Sequence, residues 1–268
     1  MSEQQRQTIC LKYLDIKGVA EPIRLALFIG GVPFADERVT YDDVAAMRAA
    51  GSSVSPTGQV PILTVDGVPF SQSNAILRYV GRLTGLYPEG TRQLRVDVIE
   101  ETLKDLRAAF VPLWYRNCML RNPRSGELPP GTALSDEQVA EAERLVNEDY
   151  IPARLAQIEA ILEDSSSGGD RQQQQQQQQQ RLTGGDATGG DAPGPFVCGE
   201  DITIADLSLY VMLNGLMDPD PSNAYCPGVN EGEDKNAFLR GFPRLTELVA
   251  AVASHPKVTE WNKTTWGK

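Results

Sequence analysis

Short apolar runs and longer amphipathic ones divide this chain into two parts. Thr8 to Tyr13 reads as a first strand, followed by an Asp15–Val19 loop containing Gly18. A helix is expected from Ala20-Glu21-Pro22, where Glu21 complements the helix dipole and Pro22 suits a first turn that needs no N–H. It should run through Ile23, Leu25, Ala26, Leu27 and Phe28 and stop at Gly30-Gly31. Phe34–Thr40 reads as a second strand and Asp42–Ala50 as a short helix. The apolar, β-rich run Ile62–Val65, the turn Asp66-Gly67 and the return run Val68-Pro69-Phe70 form a hairpin signal. Pro69 requires the return strand to lie at a sheet edge. Ser73–Thr84 is a helix with Ile76, Leu77, Val80 and Leu83 on one face. The order β-α-β-α-β-β-α predicts a small α/β unit with a mixed sheet.

After Leu86-Tyr87-Pro88 only helical periodicity remains. Thr91–Phe110 is long and amphipathic, with Leu94, Val98, Ile99, Thr102, Leu103 and Leu106 as its apolar stripe. Ser135-Asp136-Glu137-Gln138 is a capping box opening a helix to Asp149, and Tyr150–Leu162 extends it unless Pro152 kinks or divides it. Thr203-Ile204-Ala205-Asp206 is a second box, with Asp206 as its N3 partner, before a buried helix to Leu216. Phe242-Pro243 opens another helix, and Ser254-His255-Pro256 a short last one toward Trp261. The expected division is an α/β unit over 8–86 and an all-helical unit over 91–268. Asn117–Leu134 and Asp218–Lys235 read as loops or insertions, and 165–195, with nine consecutive glutamines at Gln172–Gln180, as a low-complexity insertion.

Composition narrows the functional classes. Of 268 residues 41% are hydrophobic and 23% charged, with a formal net charge of −11. That balance disfavours nucleic acid, whose phosphates call for a basic face. Cys10, Cys118, Cys198 and Cys226 are far apart and form no CxxC, and His255 is the only histidine, so no metal site is expected. No apolar run reaches the 18 residues a membrane span needs, and the polar start lacks an apolar leader core, so a cytoplasmic setting is expected.

Five motifs then stand in register: Tyr13-x4-Gly18-x-Ala20-Glu21-x2-Arg24, Gln59-Val60-Pro61-Ile62-Leu63, Ser71-Gln72-Ser73-x-Ala75-Ile76, Gly199-x3-Thr203-x-Ala205-Asp206 and His255-Pro256-Lys257-Val258. In this order and spacing the chain resembles the cytosolic glutathione S-transferases, the tyrosine-type classes and sigma in particular. The resemblance implies a thioredoxin-like α/β N-terminal domain, an all-α C-terminal domain and a homodimer. It implies no cofactor beyond glutathione as co-substrate, with a hydrophobic electrophile as second substrate. Tyr13 would be catalytic, its hydroxyl donating to the glutathione sulfur and favouring the nucleophilic thiolate. Gln72 and Ser73, at a helix start, would hold the γ-glutamyl carboxylate. Val60, before a cis Pro61, would pair backbone to backbone with the cysteinyl part. Gln59 and Arg48 would reach the glycyl carboxylate, Arg48 standing where a lysine is usual and Val44 where a tryptophan is usual. Asp97 would reach across a dimer toward the glutathione α-amine. Phe110, Trp114 and Tyr115 would wall the electrophile pocket. Arg24, Asp206 and His255 read as structural. The same thiolate could serve a glutathione-dependent isomerase or peroxidase, and a non-catalytic structural or binding protein of this fold is the alternative of another class.

Overall fold

The computed structural model describes residues 7–51, 54–117, 135–164, 194–217 and 239–267. Four strands form one mixed sheet in the order β2-β1-β3-β4. They are β1 (Ile9–Leu14), β2 (Ala35–Val39), β3 (Ile62–Val65) and β4 (Val68–Ser71). β2 runs parallel to β1, β3 antiparallel to β1, and β4 antiparallel to β3. β4 is therefore an edge strand, as Pro69 requires. Asp66 and Gly67 both take positive φ, +49° and +84°, in the turn between β3 and β4.

Helix α1 (Glu21–Ile29) crosses between the parallel pair, α2 (Tyr41–Ala50) follows β2, and α3 (Ser73–Thr84) follows β4. Residues 21–27 of α1 are all buried, because the helix packs against α3 and the helical domain. α2 begins with a reciprocal capping box, Thr40 with Asp43, that the sequence reading passed over. The result is a thioredoxin-like α/β domain.

The second domain contains α4 (Gly90–Asn117), α5 (Asp136–Leu145), α6 (151–164), α7 (Ile204–Met217), α8 (Pro243–Ser254) and α9 (Pro256–Trp261). Pro152 does not divide its helix. A wider, π-type turn at Val146–Tyr150 joins α5 to α6 just ahead of it. That widening suits a residue that donates no N–H and crowds the carbonyl four positions back. A second such turn, Asn262–Trp266, prolongs α9 beyond the expected stop at Trp261. The expected loops and insertions at 118–134, 165–193 and 218–235 lie outside the described residues.

One hydrophobic core spans both domains. α7 packs on α1, α3 and α4, and is itself buried on nearly every side. Gly81 on α3 makes this approach possible, since a Cβ there would stand 2.7 Å from Ile204 and 2.9 Å from Tyr87. The Ile204 N–H donates to the Leu86 carbonyl at 2.9 Å across the same junction. Asp206 proves to be more than a cap. It is fully buried and accepts from the Val197 N–H, the Thr203 N–H and the Thr203 hydroxyl, each at 2.7 Å. It thus ties the 196–201 turn to α7, while burial pushes its carboxyl up to about 6 against those donors.

Glu100 is the other buried acid, on α4 against α7. Burial pushes its carboxyl up to about 7, and the Ser208 hydroxyl and the charges of Arg107 and Arg78 only partly oppose this. Because the native state holds this proton to higher pH than an unfolded glutamate would, stability falls as pH rises from about 4.5 through 7. Glu100→Gln mimics the protonated form. Its stability relative to wild type should improve by about 3 kcal/mol between pH 4.5 and pH 8, which urea unfolding at the two pH values would measure; a pH-independent difference contradicts it.

Candidate functional site

Sheet register decides which motif residues meet. Lys12 pairs with Ile62 in β3, and Ile62 pairs with Ser71 in β4. One step further along each strand come Tyr13, Pro61 and Gln72, so the first three motifs converge on one end of the sheet. The sequence places them far apart, and the antiparallel pairing brings them together.

Tyr13 is buried at 6% exposure. Burial pushes its phenol up to about 12, while the backbone N–H of Val19 and the charge of Arg24 act the other way. At neutral pH it keeps its proton and is a hydrogen-bond donor. Gly18, at φ +45°, makes room for it, because a Cβ there would lie 2.6 Å from the Tyr13 hydroxyl oxygen. Arg24 underlies this loop. It is fully buried, with its guanidinium carbon 5.7 Å from the centre of the Tyr13 ring. It donates to the carbonyls of Ile16 (2.9 Å), Lys17 (3.4 Å) and Leu14 (3.5 Å), and pairs with Glu21 (3.2 Å) and Asp36 (3.0 Å). Arg24 is structural, and what it structures is the backbone around Tyr13.

The Val60–Pro61 peptide bond is cis. The loop ahead of it is braced by Arg48 Nε donating to the Gly58 carbonyl at 2.8 Å and by Ser55 Oγ donating to the Gln59 carbonyl at 2.9 Å. Gln59 and Arg48 are exposed. Among the described residues, the Val60 N–H and carbonyl make no hydrogen bond, and Arg48 forms no ion pair with a carboxylate.

Gln72 is exposed and sits at φ +78°, ψ +102°, outside the regions open to an ordinary residue, and it opens α3. Such strain costs on the order of 1–2 kcal/mol and is characteristic of functional positions. No side chain caps α3, so its first N–H groups stay available, in contrast to the capped α2. Beside it, Ser71 Oγ and Asn74 Nδ2 are buried without hydrogen-bond partners among the described residues. Arg107 of α4 reaches this helix start, its Nη2 donating to Asn74 Oδ1 at 3.1 Å. Sequence reasoning missed Arg107, since no local pattern links it to residue 74.

Asp97 lies apart from this group. Its carboxylate accepts Arg78 Nε at 2.7 Å and the Tyr87 hydroxyl at 2.8 and 2.9 Å, all within one chain. Phe110, Trp114 and Tyr115 fall in the part of α4 whose side chains lie outside the described ones. Among the described residues, no group of three or more His, Cys, Asp or Glu side chains is placed to hold a metal ion, and no helix is long and apolar enough to cross a membrane.

A thioredoxin-like domain followed by this helical domain is the architecture of glutathione transferases. The family model described as "Glutathione S-transferase, N-terminal domain" matches residues 10–82, and "Glutathione S-transferase, C-terminal domain" matches 131–265. The chain belongs to the glutathione S-transferase family. It is 39% identical over 111 residues to Glutathione S-transferase P of Caenorhabditis elegans, a match covering 41% of this chain and 51% of that one. Over 101 residues it is 37% identical to Glutathione S-transferase 3 of the same organism, covering 37% and 47%. The chain thus spans about half the length of these curated relatives. A solved structure, the monomeric Na-GST-3 of Necator americanus, shares the fold with a TM-score of 0.65 at 23% identity, covering 96% of this chain and 97% of that one.

The Gly18 contact gives a direct test of the packing around Tyr13. Gly31 also has positive φ, but nothing lies within 4 Å of a Cβ there. Gly31→Ala should cost about 1 kcal/mol from backbone strain alone. Gly18→Ala should cost more, because the added methyl also displaces the Tyr13 hydroxyl. Equal losses in chemical denaturation would argue against that contact.

Proposed function

We propose that this chain is a tyrosine-type glutathione transferase, most similar to the sigma class, that joins glutathione to hydrophobic electrophiles. The observation that carries the reading is the convergence, through sheet register, of a protonated Tyr13, the unbonded backbone of Val60 and the uncapped start of α3.

Glutathione would lie along this end of the sheet. Its cysteinyl part pairs with the Val60 N–H and carbonyl, as a one-residue strand addition. Its γ-glutamyl carboxylate meets the N–H groups and Ser73 hydroxyl at the start of α3, with Gln72 beside them. Its glycyl carboxylate meets Gln59 and the terminal nitrogens of Arg48, whose Nε is already committed to Gly58. The Tyr13 hydroxyl donates to the sulfur. That bond favours the thiolate, and the thiol proton passes to solvent. The thiolate then forms a carbon–sulfur bond as the electrophile's leaving group departs. Arg24 and Gly18 keep the donor in place.

The α-amine is proposed to meet an acid from α4 of a partner protomer. Asp97 was expected there, but Arg78 and Tyr87 already hold it. Asp105 on the same helix is exposed, and its side chain has no partner among the described residues. It is the better placed of the two to take an ammonium group. A homodimer is supported by an apolar surface on adjoining elements: Val68 and Phe70 on edge strand β4, Tyr79 and Leu83 on α3, and Leu94 and Val98 on α4. Phe70 is 50% exposed and Leu94 64%, a large apolar area to leave in water. A cytoplasmic location and a domain boundary at residues 86–91 complete the reading.

Two experiments test it. In a conjugation assay with glutathione and a chlorinated nitrobenzene, wild type should turn over and Tyr13→Phe should lose at least about tenfold in rate. Equal rates would remove Tyr13 from the mechanism, and no turnover together with no glutathione affinity would remove the transferase reading. Light scattering should give a dimer mass for wild type and a monomer mass for the double variant Phe70→Glu, Leu94→Asp, since burying like, unpaired charges in place of apolar side chains is unfavourable. A monomeric wild type contradicts the dimer.

A further inference from the structure

The segment Asn262–Trp266 returns to the loop that follows Tyr13. Two indole N–H groups, from Trp261 and Trp266, donate to the same oxygen, Glu21 Oε1, each at 2.7 Å. Glu21 is 2% exposed, and its other oxygen takes Arg24 Nη1 at 3.2 Å. Arg24 in turn holds the carbonyls of Leu14, Ile16 and Lys17. A continuous set of bonds thus runs from Trp266 through Glu21 and Arg24 to the backbone beside Tyr13.

Trp266 also grips the loop from outside. The Lys17 ammonium lies 5.7 Å from the centre of its ring, and the Arg38 guanidinium 4.6 Å. Both cations face the indole's π surface, which attracts them. Glu21 Oε1, with two acceptor sites, takes both indoles, so Trp266 completes the pairing of a buried carboxylate and also faces the cations. Beyond that bond, Trp266 adds contact with Lys17 and Arg38, on the loop and on β2.

We infer that Trp266 is a positioning residue for Tyr13: it holds the Asp15–Gly18 loop, and with it the Tyr13 hydroxyl, at the place where the glutathione sulfur is to be ionised. The inference rests on Tyr13 being the thiol-activating group. When Trp266 is removed, Lys17 and Arg38 lose their ring and Glu21 Oε1 loses one of its two donors. The loop relaxes around Gly18, whose φ of +45° and contact with the hydroxyl make it the point where displacement reaches Tyr13.

The test reads the ionisation of bound glutathione from thiolate absorbance across pH, together with the pH profile of kcat/KM for conjugation. Trp266→Ala should raise the bound thiol's pKa by about half a unit and lower kcat/KM by up to about threefold at pH values below that pKa, because a weaker hydrogen bond to the thiolate raises that pKa. The loss should shrink at alkaline pH, where the thiol ionises unaided, and KM for glutathione should change little. Trp266→Phe keeps a ring for the cations but lacks the N–H, so it should fall between Trp266→Ala and wild type. It also carries the test if Trp266→Ala fails to fold. Val252→Ala, in the buried core of α8, is the control: it should lower Tm without moving the thiol pKa. A wild-type thiol pKa in both Trp266 variants, with Tyr13→Phe raising it, overturns the positioning role alone. An equal shift in Val252→Ala overturns it too, since general loosening would then suffice. No shift in Tyr13→Phe overturns this inference together with the reading of Tyr13 on which it rests.

Discussion

The site depends on one fully buried guanidinium. Arg24 lies beneath the loop after β1 with no exposure to water, so every donor it carries must be matched inside the protein. Glu21, Asp36 and three backbone carbonyls supply the match. Removing one member of such an assembly leaves a buried charge uncompensated, at a cost of about 3–5 kcal/mol. The loop carbonyls are therefore drawn to one arrangement, and Tyr13 inherits a fixed position from them. An electrostatic requirement of the core thus sets the position of a side chain at the end of the sheet.

Around that fixed point the rest of the site is mostly backbone. Among the described residues Val60 offers an unpaired N–H and carbonyl, and α3 offers an uncapped first turn. Groups of this kind would weaken an ordinary core but suit a peptide ligand that brings its own amide and carboxylates. Arg48 and Ser55 brace the loop ahead of Pro61, so it is held before any ligand arrives. Gln72 bears its unfavourable φ at the point where the sheet hands over to α3. The helical domain stabilises this arrangement through the buried contact of α7 with α1 and α3, where Gly81 lets the two domains approach.

Much of this was legible along the chain. The hairpin at Asp66-Gly67, the edge strand marked by Pro69 and the box at Thr203–Asp206 are local patterns, and local sterics and hydrogen bonding produce them. The resemblance to glutathione transferases directed attention to Tyr13, Val60 and Gln72-Ser73. What was not legible depended on side chains meeting across the fold. The Asp97 carboxylate pairs with Arg78 from α3 and with Tyr87, partners that no local pattern announces. Pro152 looked able to break its helix, yet one widened turn absorbed it. Arg107 and Trp266 gave no signal, because their partners lie 33 and 245 residues away in sequence.

By itself the sequence determined the elements, the two-part architecture and the residue types available for thiol chemistry, because periodicity, turn residues and caps act over a few positions. The tertiary structure alone decided which of those residues share a site. Strand register brought Tyr13, Pro61 and Gln72 to one sheet end, and burial raises the Tyr13 phenol to about 12, so it keeps its proton further above neutral pH. The Glu21–Arg24 pair joined the Trp266 turn to the Tyr13 loop. These are consequences of desolvation and long-range pairing, which depend on what packs around a residue rather than on its neighbours in the chain.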